Sequence, residues 1–207
     1  MTGIIDYGLG NVKAFANVYN NLNIPIRIVD QPSKLKNIDR IILPGVGSFD
    51  YAMQKLEASG MRQVLDDVVL KDNIPVLGIC VGMQILGNSS DEGDQPGLGW
   101  IDASVIKFDF SNVKKSLIIP HMGWNTIQSI NNNSLFKDLD DEVSFYFLHS
   151  YYFQCNKKND IIAISDYGGE FTCAVNYRNI FGIQFHPEKS HHNGVKLLNN
   201  FAQINKG

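Results

Sequence analysis

Cysteine is scarce in this chain: Cys80, Cys155 and Cys173 are the only three among 207 residues. They make no even set and no Cys-x-x-Cys pair. That excludes a disulfide scaffold and a zinc ribbon and points to a reducing compartment, with the cytoplasm as the expectation. A surplus of one charge is also lacking. The 18 Lys and Arg residues against 21 Asp and Glu leave a formal charge of −3, which supplies no basic face for nucleic acid. No apolar run approaches the roughly 20 residues that span a bilayer, so no membrane segment is expected. The opening stretch MTGIIDYGLGN has neither a basic leader region nor a cleavage-type apolar core, and is expected to begin as a strand. Linkers, repeats and low-complexity tracts are missing too. What remains is 44% hydrophobic, enough for one well-packed domain over residues 1–207.

What is present is a rhythm. GIIDY reads as a strand, and NVKAFANVYNNL places Val12, Phe15, Val18, Tyr19 and Leu22 at helical spacing. PIRIVD and DRIILPG follow as strands, FDYAMQKLEASG as a helix closed by Gly60, and IPVLGIC as a fourth strand leading into a helix that starts with VGMQIL. Alternation of this kind predicts an α/β fold with a mostly parallel central sheet and helices on both faces. From about residue 97 the pattern changes to closely spaced strands: GWIDASVIKFDF, KSLIIPHMGW, VSFYFLHSYYF, IIAISDYG and FTCAVNYRNIFGIQFHP. A last helix, NGVKLLNNFAQI, docks behind this β-rich second half.

Chemistry enters at GICVGMQIL. Gly78-x-Cys80-x-Gly82 follows a strand and opens a helix, which is the nucleophile-elbow pattern with cysteine in place of serine. A strand-to-helix reversal crowds its neighbours, so flanking glycines are expected. A helix N-terminus there would favour thiolate over thiol. On its own the feature competes with a plain buried thiol, because free cysteine is usually core. GIQFHPEKS supplies the missing base. His186 ends an apolar strand, and Glu188 two residues on falls on the same side of extended chain, with Pro187 holding the backbone between them. Cys80, His186 and Glu188 thus fit the roles of nucleophile, base and orienting acid. LPGVG, after the third strand, is a tight loop able to aim a backbone N–H at an oxyanion, with the Val81 N–H as second donor.

Together PGVGSF, GICVGMQIL, LHSYYF and GIQFHPEKS resemble the class I, triad-type glutamine amidotransferases. Within that class IDYGLGN, PGLGWI and PHMGWN are similar to the glutaminase subunits of imidazole glycerol phosphate synthase. The likeness is collinear and runs nearly end to end. It implies hydrolysis of glutamine to glutamate and ammonia, with no cofactor and no metal. The ammonia would pass to a (β/α)8-barrel cyclase subunit, in a heterodimer that makes imidazole glycerol phosphate and AICAR for histidine biosynthesis. The resemblance places Gly47 and Val81 at the oxyanion hole and Gln84, Ser150 and Tyr151 around the α-amino and α-carboxylate groups of glutamine. Similar glutaminase and cyclase pairs also build amidino groups on surface-polysaccharide sugars, and the triad does not separate the two pathways.

Other readings are open at this point. Gly8-Leu9-Gly10 after the first strand, with Asp30 about 20 residues later, has part of a dinucleotide-binding fingerprint, but its third glycine position falls on Lys13. A cysteine peptidase, or a binding domain without catalysis, is a second rival. His191 and His192 beside Glu188 read as solvated surface rather than a metal cluster. Tyr146, Phe147, Tyr151, Tyr152 and Phe153 read as sheet core. Asp138, Asp140, Asp141 and Glu142 read as a solvated acidic turn. Trp124 and Asn125 in PHMGWN are expected to anchor a partner interface, against core packing as the plainer alternative for the tryptophan.

Overall fold

A computed structural model describes residues 1–111, 117–130, 132–140 and 142–205 of the chain. The first part of the expected KSLIIPHMGW strand and the acidic residue Asp141 lie wholly or partly outside these. The first half runs β1 (Thr2–Ile5), α1 (Val12–Asn21), β2 (Ile26–Val29), β3 (Arg40–Gly45), α2 (Phe49–Ala58), α3 (Met61–Asp66), β4 (Val76–Cys80) and α4 (Val81–Gln84). The second half adds β5 (Ser89–Ser90), β6 (Ala103–Lys107), β7 (His121–Ser129), β8 (Glu142–His149) and β9 (Tyr151–Cys155). After these come β10 (Ile161–Asp166), β11 (Glu170–Tyr177), β12 (Ile180–Ile183) and α5 (His191–Gln203).

The sheet is ordered β2-β1-β3-β4-β12-β11-β10-β7-β8. Its first five strands are parallel, and the pairings from β11 onward are antiparallel. Residues Ile41–Gly45 and all of β4 are buried, as expected of parallel strands covered on both faces. The crossover from β1 to β2 steps one way along the sheet and that from β3 to β4 steps the other. Right-handed connections therefore put α1 and the α2–α3 pair on opposite faces. α1 presents Val12, Phe15, Ala16 and Tyr19 to the core, and the Asn11 side chain caps its first turn by accepting from the Ala14 N–H at 3.2 Å. This half matches the rhythm of the sequence.

Three elements differ from the sequence pattern. The helix expected after Cys80 is a single turn, Val81–Gln84. The carbonyls that would continue it are taken by the returning segment: Leu98 N–H donates to Ile85 O at 2.7 Å, Trp100 N–H to Leu86 O at 2.9 Å and Gly99 N–H to Gly87 O at 2.9 Å. VSFYFLHSYYF is two strands broken at Ser150, because β8 pairs with β7 while β9 turns to β6 and β11. The last helix starts at His191, two residues before the expected NGVK stretch.

Candidate active site

Cys80 ends β4 with φ +56° and ψ −116°. A non-glycine residue pays for that backbone, and it persists only where the surroundings over-determine it. Those surroundings are three glycines on two chain segments, the end of β3 and the β4–α4 junction. A β-carbon on Gly82 would lie 2.0 Å from the Leu43 carbonyl oxygen, one on Gly45 2.3 Å from the Gly82 nitrogen, and one on Gly78 2.5 Å from the Gly82 oxygen. The flanking glycines expected from the sequence are therefore required by direct backbone-to-backbone packing. The helix that follows is a single turn, so its macrodipole at Cys80 is small.

The charge partner comes from the neighbouring strand. β12 lies parallel to β4 with Ile183 opposite Ile79, so residues 184–186 leave the sheet beside Cys80. His186 hydrogen-bonds Glu188 through Nδ1, 2.9 Å from Oε1, with side chains only 6% and 3% exposed. Burial pulls the His186 pKa down, but side-chain hydrogen bonds and opposite charge from Cys80 and Glu188 outweigh it and raise the pKa to about 10. The second carboxylate oxygen, Glu188 Oε2, is buried without a hydrogen-bond partner among the described residues. Cys80, His186 and Glu188 are thus brought together as nucleophile, base and acid require.

Gln184, absent from the sequence reading, completes the surroundings of the sulfur. It is fully buried, and its Nε2 lies 3.8 Å from Cys80 Sγ. Its spacing of two from His186, on the same side of extended chain, is the signal that points to it. Its Oε1 accepts from Gln84 Nε2 at 3.1 Å, and Gln84 Nε2 also donates to the Tyr151 carbonyl at 3.1 Å. Tyr7, from IDYGLGN, donates its buried hydroxyl to the Pro44 carbonyl at 2.8 Å, tying the LPGVG loop to β1. Burial, then the charge of Cys80, holds that phenol above its usual pKa.

Around the sulfur opens a cavity of about 290 Å³ lined by Val46, Gly47, Val81, Gln84, Ser150, Tyr151 and His186, with His149 and Leu148 on its wall. Gly47 (φ +90°) and Val81 face the same space as Cys80, and Val81 opens its turn, so its N–H has no intrahelical acceptor. Every residue expected at the site from the sequence reaches this cavity or the triad beside it, except Trp124 and Asn125. Trp124 is half exposed, stacked on His191 at 5.2 Å and edge-on to Tyr146. It is not core.

The remaining candidates resolve as follows. Cys155 and Cys173 are held high by burial, the former at about 12. Of the aromatic stripe, Phe147 and Phe153 are core, while Tyr146, Tyr151 and Tyr152 are only half buried. Asp138 pairs with Lys196 at 3.2 Å. The Gly8–Gly10 turn packs against Pro44, where a β-carbon on Gly10 would approach within 2.6 Å. Among the described residues no group of His, Cys, Asp and Glu is arranged to hold a metal ion, and no helix is long and apolar enough to cross a membrane.

Residues 3–204 match the family Glutamine amidotransferase class-I, and the chain belongs to that family. It is a class I glutamine amidotransferase. The particular likeness is to proteins named imidazole glycerol phosphate synthase subunit HisH. The Leptospira interrogans protein of that name is 58% identical over 204 residues, covering 99% of this chain and 100% of its own. The one from Bdellovibrio bacteriovorus is 51% identical over the same proportions. A glutamine amidotransferase structure from Thermotoga maritima superposes with a TM-score of 0.63 at 18% identity, covering 96% of this chain and 80% of its own, and shares the fold.

Proposed function

We propose that this chain is the glutaminase subunit of an imidazole glycerol phosphate synthase, a single amidotransferase domain over residues 1–207 acting in the cytoplasm without a cofactor. The Cys80 thiolate attacks the side-chain amide carbon of glutamine. The resulting oxyanion is met by the backbone N–H groups of Gly47 and Val81. His186, held through Nδ1 by Glu188, uses Nε2 to give its proton to the leaving nitrogen, which departs as ammonia. The thioester left on Cys80 is hydrolysed by water that His186 deprotonates, and glutamate is released. Gln84, Ser150 and Tyr151 hold the charged end of glutamine, whose separation from asparagine by one methylene demands such polar reading. Ammonia then passes to a barrel cyclase docked over the face that carries Trp124, while Asn125, next along the strand, turns its amide toward His121.

One observation carries this reading: Cys80, on a strained strand end, sits beside a buried His186–Glu188 pair whose imidazole stays protonated near neutral pH. The HisH relatives, alike over their whole length, support the cyclase partner and the histidine pathway. An electrophilic glutamine analogue is expected to label Cys80 and to spare Cys155 and Cys173, whose thiols burial keeps protonated. Labelling of either of these with hydrolysis retained would remove the assignment. A copurifying barrel protein, assayed for its acceptor with glutamine, tests the pathway, and an amidino-sugar acceptor would replace it.

A further inference from the structure

PHMGWN and LHSYYF each carry a histidine that the catalytic steps above do not use. Strands β7 and β8 pair so that His121 stands directly opposite His149. Both are buried, at 3% and 6% exposure. His121 is stacked on Tyr167 at 4.0 Å and on Phe147 at 4.9 Å, and Phe108 lies 5.3 Å from the His149 ring.

Their hydrogen bonds are fixed from both ends by backbone groups. At the outer end Asn125 Oδ1 accepts from the Thr126 N–H at 2.8 Å and Nδ2 donates to the Asp166 carbonyl at 2.8 Å, which settles the orientation of the amide. The same Nδ2 faces His121 Nε2 at 3.3 Å, so that nitrogen must accept. His121 then carries its proton on Nδ1 and donates to His149 Nε2 at 2.9 Å. At the inner end His149 Nδ1 lies 2.8 Å from the Tyr151 carbonyl, which can only accept, so Nδ1 is protonated and Nε2 is bare. The two ends demand the same polarity. A proton added to either ring would put two donors face to face. Burial independently lowers the pKa of His121 to about 4 and of His149 to about 3.

We propose that Asn125, His121 and His149 form a one-directional relay, each donating inward, that holds the Tyr151 carbonyl in place and through it the Gln84 side chain, so that His121 and His149 are positioning residues for glutamine. The inference rests on the glutaminase reading, because it takes Tyr151 and Gln84 as the walls of the glutamine site. Its outer end is on the strand that carries Trp124, next to the face assigned to the cyclase. Removing the His121 donor leaves His149 Nε2 buried and unpaired. The ring then keeps only one of the two hydrogen bonds that fix its angle, and its hold on Tyr151 O loosens.

The test uses the chain in complex with its copurified partner. His121→Ala is expected to raise KM for glutamine about tenfold with kcat held within about twofold. His121→Asn, whose amide nitrogen overlays Nδ1 and donates as it does, should restore KM to within about twofold. Ring 15N NMR of the unsubstituted protein should show both histidines neutral and protonated on Nδ1. A folded His121→Ala protein with unchanged KM overturns the proposal, and so does a His149 protonated on Nε2. Should the substituted proteins not fold, the tautomers in the unsubstituted protein decide alone. Failure of the unsubstituted complex to hydrolyse glutamine would remove the glutaminase reading instead, and the ring tautomers would still report on the relay.

Discussion

His186 and His149 line the same cavity and both are buried, yet burial prevails at one and is overruled at the other. His186 faces a carboxylate and a thiol, and its pKa climbs to about 10. His149 faces a neutral imidazole and a backbone carbonyl, and its pKa falls to about 3. Desolvation acts in the same direction on both. What differs is whether an anion is within reach to repay it. One fold thus holds a charged histidine against a carboxylate and, beside the same cavity, a neutral pair of imidazoles.

The sharpest way to break this contrast is Cys80→Ala. Glutamine hydrolysis should be lost outright, because no other group forms the thioester. His186 should also titrate lower by NMR, since one of the two anionic partners holding its proton is gone, while His149 should not move. His186→Ala should follow, costing about 10²- to 10⁴-fold in kcat for the loss of the base. Glu188→Gln should cost less than that, because the acid only orients and stabilises the imidazolium. A Glu188→Gln protein as inactive as Cys80→Ala would require a different role for the acid.

A pH series of urea denaturation separates the two sites by sign. His186 binds its proton more tightly folded than unfolded. Its stabilisation is therefore complete below about pH 6.5 and is lost as pH climbs toward about 10. The His121–His149 pair is the reverse: it costs nothing above about pH 6.5 and weakens the fold as pH drops toward about 4 and below. In Cys80→Ala the alkaline limb should flatten and the acid limb should stay. Equal flattening of both limbs would show that the sites are not independent.

Trp124→Ala is expected to have the smallest effect on either histidine and to act on the partner instead. Half exposed, the ring contributes little to the isolated fold, so the melting temperature of the lone chain should hold. In the complex, product made from glutamine should fall relative to product made from added ammonium salts. An unchanged ratio of the two rates would place the tryptophan outside the interface.

Local patterns predicted the parallel half well, because each of its elements shows its own period. Val12, Phe15 and Tyr19 mark α1, and the apolar runs of β3 and β4 mark buried strands. Cys80, His186 and Glu188 were readable for the same reason, each standing in a short stretch with its own geometry. The single-turn α4 was not, because residues 98–101, more than ten positions away, take the carbonyls of Ile85, Leu86 and Gly87 that would continue it. The His121–His149 pair was hidden more deeply. Nothing near either histidine announces the other, and only the β7–β8 register sets them face to face. Gln184 lies between these cases: its spacing from His186 was visible, but its contact with the sulfur depends on β12 joining β4.

The glycine knot at Gly45, Gly78 and Gly82 also bears on when in folding the site is complete. The backbone of Cys80 is held only by segments that meet once β3 and β4 have zipped together. His186 is supplied from the far end of the chain, at the end of a strand that pairs with β4. The constellation is therefore complete only after β3, β4 and β12 have joined, a step that a half-folded chain has not taken. A chain trapped before that step should resist alkylation by the glutamine analogue, and acquiring sensitivity should coincide with the final cooperative step of refolding.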